Sequence, residues 1–318
     1  YKRPWSSFVY RFGLEYFVKK YSKKYPYDII HLQGNYSPTY NRKIIDNTKE
    51  KVVLNIFGSD FYQNWFRENQ STKYRDDFIY VCDQASVITC NWVTTMNDFL
   101  AEFPTYVNKT KYIPWGVDQK WFAKKKEIST KKQTIFLSTR ALYPYNNVDK
   151  VIEAFCKVFQ NDNTKKLIVM SGYGSSENSI TQAKDIVKKY HKESDVEFNF
   201  DWINDEELIK IYDRADYNFC VGDTDQLTIS IIYGLLRNCI NILSPITSYK
   251  DFKDLGYKSP IILNEVTKNS LEEFFNNYEA FSVTSLDDDC QKAKEEWLFN
   301  NNFSKYINLY KTLINDSQ

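Results

Sequence analysis

Short apolar runs bounded by polar turns recur along the chain, and stretches with a helical period lie between them. In the first third the runs are residues 27–33 (YDIIHLQ), 51–58 (KVVLNIFG), 85–91 (ASVITCN) and 110–116 (TKYIPWG). Residues 5–24 place Trp5, Phe8, Val9, Phe12 and Tyr16 at helical spacing, and helical patterns return around residues 74–84 and 93–103. Runs of four to eight apolar residues alternating with amphipathic helices predict parallel strands covered on both faces.

Residues 123–133 (AKKKEISTKKQ) are polar and lysine-rich, with little to bury, and read as a linker or an exposed connection. Beyond them the alternation restarts, with strands expected at 134–140, 166–174, 196–200, 216–222 and 239–245 and helices at 148–159, 180–192 and 205–215. Residues 293–314 read as a terminal helical region. The pattern therefore predicts two α/β sheets in series, and no internal repeat appears.

Composition narrows the class of protein. A chain of 318 residues is longer than one small core needs, so two domains are expected. A formal net charge of +1 argues against a dedicated nucleic-acid binder. The six cysteines contain no C-x-x-C pair and several sit in apolar runs, as buried thiols in a reducing cytosol do. With only two histidines a zinc site is not expected. No apolar run is long enough to span a bilayer. Residues 1–26 carry seven basic residues against Glu15 alone, interleaved with nine aromatics. Two readings stand for them: an interfacial helix on an anionic membrane, or a helix packed on the first sheet.

Ligands of open parallel sheets bind beyond the C-terminal ends of the strands. In the second half those ends carry Thr139-Arg140, Gly172-Tyr173-Gly174, Phe200-Asp201-Trp202 and Gly222-Asp223-Thr224-Asp225. A guanidinium, a glycine turn, aromatic rings and a hydroxyl-flanked helix start suit a nucleotide diphosphate. Each residue also has a plainer reading: Arg140 as a surface arginine, the glycines as turn residues, Asp225 as a helix cap, Tyr233 as core. In the first half, His31 is placed after the first strand and Asp60 in the turn FGSD (57–60), as candidates for substrate or structural roles.

Taken in order, these segments resemble the group 1, or GT4-type, glycosyltransferases. STRALYPYNNVDKVIEAF is similar to that family's arginine-bearing strand end and helix, KLIVMSGYG to its next strand and glycine turn, and VEFNFDWINDEELIKIYDRADYNFCVG to the segment that follows. YDIIHLQG, VVLNIFGSD, ASVITCN and KYIPWGVDQKWF resemble its acceptor-domain strands. DQLTISIIYGLLRNC corresponds to the family's motif of two acids separated by seven residues. Asp225 takes the first acidic position and Tyr233 the second; Asn146 falls where a basic phosphate ligand is usual, and Phe57 where His or Trp is common.

The resemblance implies a GT-B fold: two facing Rossmann-like domains with parallel sheets and an inter-domain cleft. The implied division is an acceptor-side domain over 1–122 with its first strand ahead of residue 1, a linker at 123–133, a donor domain at 134–285, and a helical segment at 286–318 returning to the first domain. It implies a cytoplasmic, retaining transferase, peripheral at the membrane, acting without metal or cofactor in bacterial surface polysaccharide synthesis (O-antigen or capsule). The donor is a nucleotide sugar, and the acceptor a glycan or lipid-linked saccharide. Donor contacts are implied for Arg140, Asn146, Gly172, Tyr173, Gly174, Phe200, Trp202, Gln226, Leu227, Thr228, Ser230 and Tyr233. Catalytic roles fall to Asp225, His31 and Asp60, and acceptor contacts to Gly58 and Ser59. The substitutions at Tyr233, Asn146 and Phe57 also suit a non-catalytic partner subunit of another transferase; a sugar-nucleotide epimerase is a third reading.

Overall fold

The structure, a computed structural model, describes residues 20, 24–123, 133–171, 175–281 and 286–315. Most of the basic aromatic segment at the start, most of the expected linker, and Gly172, Tyr173 and Gly174 lie outside the described residues. Two compact units emerge: residues up to Gly116 together with those from Asn300 onward, and Val117–Phe299.

The first unit is a four-stranded parallel sheet in the order β1 (Ile29–Gln33), β2 (Lys51–Ile56), β3 (Val87–Cys90), β4 (Thr110–Tyr112). Helices α1 (Pro38–Ile45), α2 (Thr72–Gln84) and α3 (Val93–Glu102) connect the strands. The apolar run of β2 is continuous because both faces are covered. Val52, Leu54 and Ile56 pack with Phe61, Phe78 and Phe99, whereas Val53 turns to the opposite face with Val87, Ile113 and the C-terminal helix residues Leu309 and Leu313. After β2, where the sequence suggests only a turn, Ser59–Trp65 forms a π-helix. His31 is the third residue of β1 and not a loop residue after it.

The second unit has a six-stranded sheet, wholly parallel, in the order β10-β9-β8-β5-β6-β7. Its strands are β5 (Thr134–Ser138), β6 (Lys165–Met170), β7 (Val196–Asn199), β8 (Tyr217–Cys220), β9 (Ile240–Leu243) and β10 (Ile261–Ile262). Helices α4 (Val148–Val158), α5 (Glu177–Lys189), α6 (Asp205–Arg214), α7 (Ile229–Leu236), α8 (Thr247–Asp254), α9 (Lys268–Asn277) and α10 (Leu286–Trp297) cover it. The caps follow the sequence: Asn204 and Glu207 form a capping box at α6, and Ser176 caps α5. The chain runs outward from β5 through β6 to β7, then returns to lay β8 on the other side of β5. That reversal is the doubly wound topology, and its crevice opens beyond the C-terminal ends of β5 and β8.

Much of the aromatic content is core. Phe136 on β5 meets Phe155, Phe159, Phe275 and Tyr278 at centroid distances between 5.2 and 5.9 Å. All six cysteines are buried and free of disulfides. The boundary between the units falls at Gly116/Val117, because Trp121 belongs with the second unit: its ring lies flat on Tyr233, centroids 3.6 Å apart. Helix α10 likewise belongs to the second unit, and only residues from Asn300 onward pack with the first. Among the described residues, no helix is long and apolar enough to cross a membrane.

Candidate active site

The reversal of strand order brings two distant segments together. Arg140 stands two residues past β5, and residues 223–228 follow β8. The Arg140 guanidinium places Nη2 2.7 Å from Asp225 Oδ2 and donates from Nη1 to Thr228 Oγ1 at 2.7 Å. Thr228 is the N-cap of α7, yet its hydroxyl makes no capping bond, since it accepts from Arg140. The N-terminus of α7, with its positive dipole end, therefore lies beside the guanidinium, a combination that attracts anions.

Asp225 is held on its other side. The Tyr249 hydroxyl donates to Asp225 Oδ2 at 3.1 Å, and Ser248 Oγ donates to the Asp225 carbonyl at 2.8 Å. Burial opposes the Arg140 charge, but Asp225 outweighs it with help from the surrounding hydroxyl and thiol groups, and the guanidinium pKa moves up. Burial drives the Tyr249 phenol well above its usual value, so it is a donor throughout the neutral range. Tyr249 and Ser248 were not singled out from the sequence; extending the strand-end rule to β9, just upstream of them, points to the first turn of α8, where they lie.

The loop between β5 and α4 forms the adjoining wall. Asn147 adopts φ 56° and donates from Nδ2 to the Val221 carbonyl (2.9 Å) and to Asp223 Oδ1 (2.7 Å). Asn146 donates to the Ala141 carbonyl at 2.8 Å, leaving its Oδ1 buried without a hydrogen-bond partner; Gln226 Oε1 is in the same state. Tyr143 and Tyr145 stack at 5.4 Å on the exposed side of this loop.

The other donor-side residues separate. Leu227 and Ser230 are buried, and the Ser230 carbonyl accepts from Tyr212 Oη (3.2 Å) and Asn218 Nδ2 (3.0 Å). Tyr233 stacks on Trp121, with Tyr212 edge-on at 5.9 Å, and burial pushes its phenol up to about 12. Phe200 stacks on Phe198, whereas Trp202 is 85% exposed and joins no ring cluster among the described residues.

In the first unit, His31 Nδ1 lies 2.6 Å from Tyr310 Oη, with the Tyr306 ring 5.4 Å away; burial lowers its pKa to about 4, so it is neutral at pH 7. Asp60 is fully buried, and its Oδ2 accepts from the Asn35 amide at 2.7 Å. Burial raises its pKa to about 7 against the pull of the Asn35, Phe57, Asp60 and Phe61 amides. In this state Asp60 fastens the turn after β1 and has no open face. Gly58 is buried at the start of the π-helix; Ser59 is half-buried.

Residues 119–233 match the family described as glycosyl transferases group 1. No curated protein sequence matches the chain. Among solved structures, sucrose-phosphate synthase from Thermosynechococcus elongatus is similar with a TM-score of 0.78 and 14% identity, covering 97% of this chain and 79% of that one. HepE from Anabaena, solved with UDP-glucose, is similar with a TM-score of 0.74 and 12% identity over 94% of this chain and 82% of its own. A glycosyltransferase from Rickettsia africae is similar with a TM-score of 0.72 and 13% identity over 96% of this chain and 82% of its own. Residues 119–233 thus carry the likeness to the group 1 glycosyl transferases, and by its two parallel sheets the chain has the GT-B fold.

Proposed function

We propose that the protein transfers a sugar from a nucleotide-sugar donor to a glycan or lipid-linked saccharide, with retention at the anomeric carbon and without a metal ion. The observation that carries this reading is the Arg140–Thr228–Asp225 cluster at the strand-order reversal, inside the segment that matches the family. HepE, of the same fold, was solved with UDP-glucose. The diphosphate gains charge as the bond to the sugar breaks. Arg140 and the first-turn amides of α7 stabilise that charge, the preorganised electrostatic effect that lowers such barriers. Asp225, held by Tyr249 and Ser248, faces the sugar hydroxyls. The acceptor is a growing surface polysaccharide or its lipid-linked precursor at the inner face of a cell membrane.

Calorimetric titration with UDP and GDP tests the donor reading: saturable binding that is lost in Arg140→Ala is expected, and no binding of any nucleotide overturns it. One observation favours a second reading, a non-catalytic subunit of another transferase: Tyr233 stands at the second acidic position and is committed to stacking on Trp121. That reading predicts a stable complex with another chain and no turnover by this chain alone.

A further inference from the structure

We propose that the groove between β10 and α9, at the outer edge of the second sheet, takes an extended basic segment of a partner protein, which adds a strand beside β10. In the sheet, β9 lies between β10 and the strands β8 and β5, whose ends carry the Arg140 cluster.

The groove has a volume of about 600 Å³ and two unlike walls. One wall is the run from Ile261 to Glu265, which is β10 and its continuation. The other is one face of α9, where Asn269, Glu273 and Asn277 recur at helical spacing. Phe281 also lines it; its ring stacks on Phe274 at 5.6 Å and is 38% exposed.

The strand wall has an open edge. β10 is the outermost strand of the sheet and pairs with β9 alone. The Leu263 amide donates to the Leu243 carbonyl at 2.9 Å, so Leu263 turns its main chain towards β9. Successive residues of a strand turn their main-chain groups to opposite edges, and Ile262 therefore directs its N–H and C=O outwards. Groups in that position template pairing with another chain. An open strand edge beside a helix suits an extended peptide: main-chain bonds hold it, and alternate side chains enter the groove. Ile261, Ile262 and Leu263 are only half-buried, so apolar surface remains for those side chains to cover.

Charge selects the occupant. Each wall carries one exposed carboxylate, Glu265 on the strand side and Glu273 on the helix side. Among the described residues neither forms an ion pair, and no Lys or Arg lines the groove; the neighbouring Glu272, by contrast, is paired with Lys157. Ser270 Oγ donates to the Glu265 carbonyl at 2.9 Å, which fixes that corner ahead of any occupant. Two unpaired carboxylates across a groove favour Lys or Arg side chains on the strand between them. A second copy of this chain would instead bring a second pair of carboxylates to the same place.

The test is fluorescence anisotropy with the full chain and a labelled eight-residue peptide of alternating Lys and Val. Saturable binding is expected, with an alternating Glu and Val peptide about tenfold weaker or more. The Lys and Val peptide with proline at its two central positions should bind as weakly, because it cannot complete a ladder. Ile262→Pro deletes the outward N–H and leaves the Leu263 bond to β9; it should weaken binding about tenfold, whereas Ile262→Val, which keeps the N–H, should not. The exposed pair Glu265→Gln/Glu273→Gln should cost about fivefold while melting stays as in the wild type, and it carries the test if Ile262→Pro does not fold. Absence of binding, equal binding of the acidic or the proline peptide, or wild-type affinity in the double Gln variant overturns the proposal. Self-association on sedimentation that is lost in Ile262→Pro would assign the edge to a second copy and overturn it as well.

Discussion

Removing the Arg140 guanidinium tests the donor site most directly. In Arg140→Ala, Asp225 loses the partner 2.7 Å away while keeping the Tyr249 and Ser248 bonds that hold it in place. The variant thus presents an uncompensated carboxylate where a diphosphate has to bind. Truncating one member of a buried charge pair costs about 2–5 kcal/mol. The two side chains are 24% and 16% exposed, so solvent screens part of the effect. The lower half of that range, about 2–3 kcal/mol, corresponds to a roughly 30- to 150-fold loss of nucleotide affinity. Calorimetry with UDP or GDP at fixed ionic strength measures it. The double variant Arg140→Ala/Asp225→Ala supplies the internal check: with both charges gone, the loss should be smaller than the sum of the single losses by about 1 kcal/mol or more. A loss under threefold in Arg140→Ala, or strict additivity in the double variant, refutes the reasoning.

Other outcomes follow from particular contacts. Gly234→Ala sets a Cβ 2.3 Å from Asn241 Oδ1, an atom held by Asn218 Nδ2, so overpacking should cost about 2 kcal/mol and lower the second unit's calorimetric midpoint by about 4–8 °C. Tyr233→Phe should leave melting and nucleotide affinity nearly unchanged, whereas Tyr233→Ala uncovers Trp121, costs about 3 kcal/mol and shifts tryptophan emission to the red; weakened nucleotide binding in Tyr233→Phe would instead assign the hydroxyl to the ligand. The first unit holds two opposed titrations. Asp60, raised to about 7, keeps its proton on folding where the unfolded chain has lost it, so its contribution falls as pH rises from about 4 to 7. His31, lowered to about 4, stays neutral on folding where the unfolded chain is protonated, so its contribution falls as pH drops from 6.5 to about 4. The first unit of Asp60→Asn should therefore become less stable towards acid, and that of His31→Gln less stable towards pH 7, as followed by melting across that range.

The strands and most helices are legible in the residues themselves, because a strand covered on both faces must be apolar throughout and a covering helix must be amphipathic. The strand ends pointed to Arg140, Asp225 and Thr228 for the same reason, since all three follow strands, and the fold brings these three together. The short elements were hidden. Pro38–Ile45 is mixed in character, Ser59–Trp65 is a π-helix with no simple period, and Ile261–Ile262 is two residues long.

Pairing between distant segments was decided only by the tertiary structure. No local pattern states that β8 returns to lie beside β5, yet that return is what sets Arg140 against Asp225, and Tyr249 from the helix after β9 holds it. Tyr233 shows the same division. Its helical position was readable from its neighbours, but its partner, Trp121, comes from 112 residues earlier in the chain, through a contact that exists only when the second unit is folded. Residue type and spacing determine which secondary structure a segment prefers and which chemistry it carries. Strand order determines which of those chemistries meet.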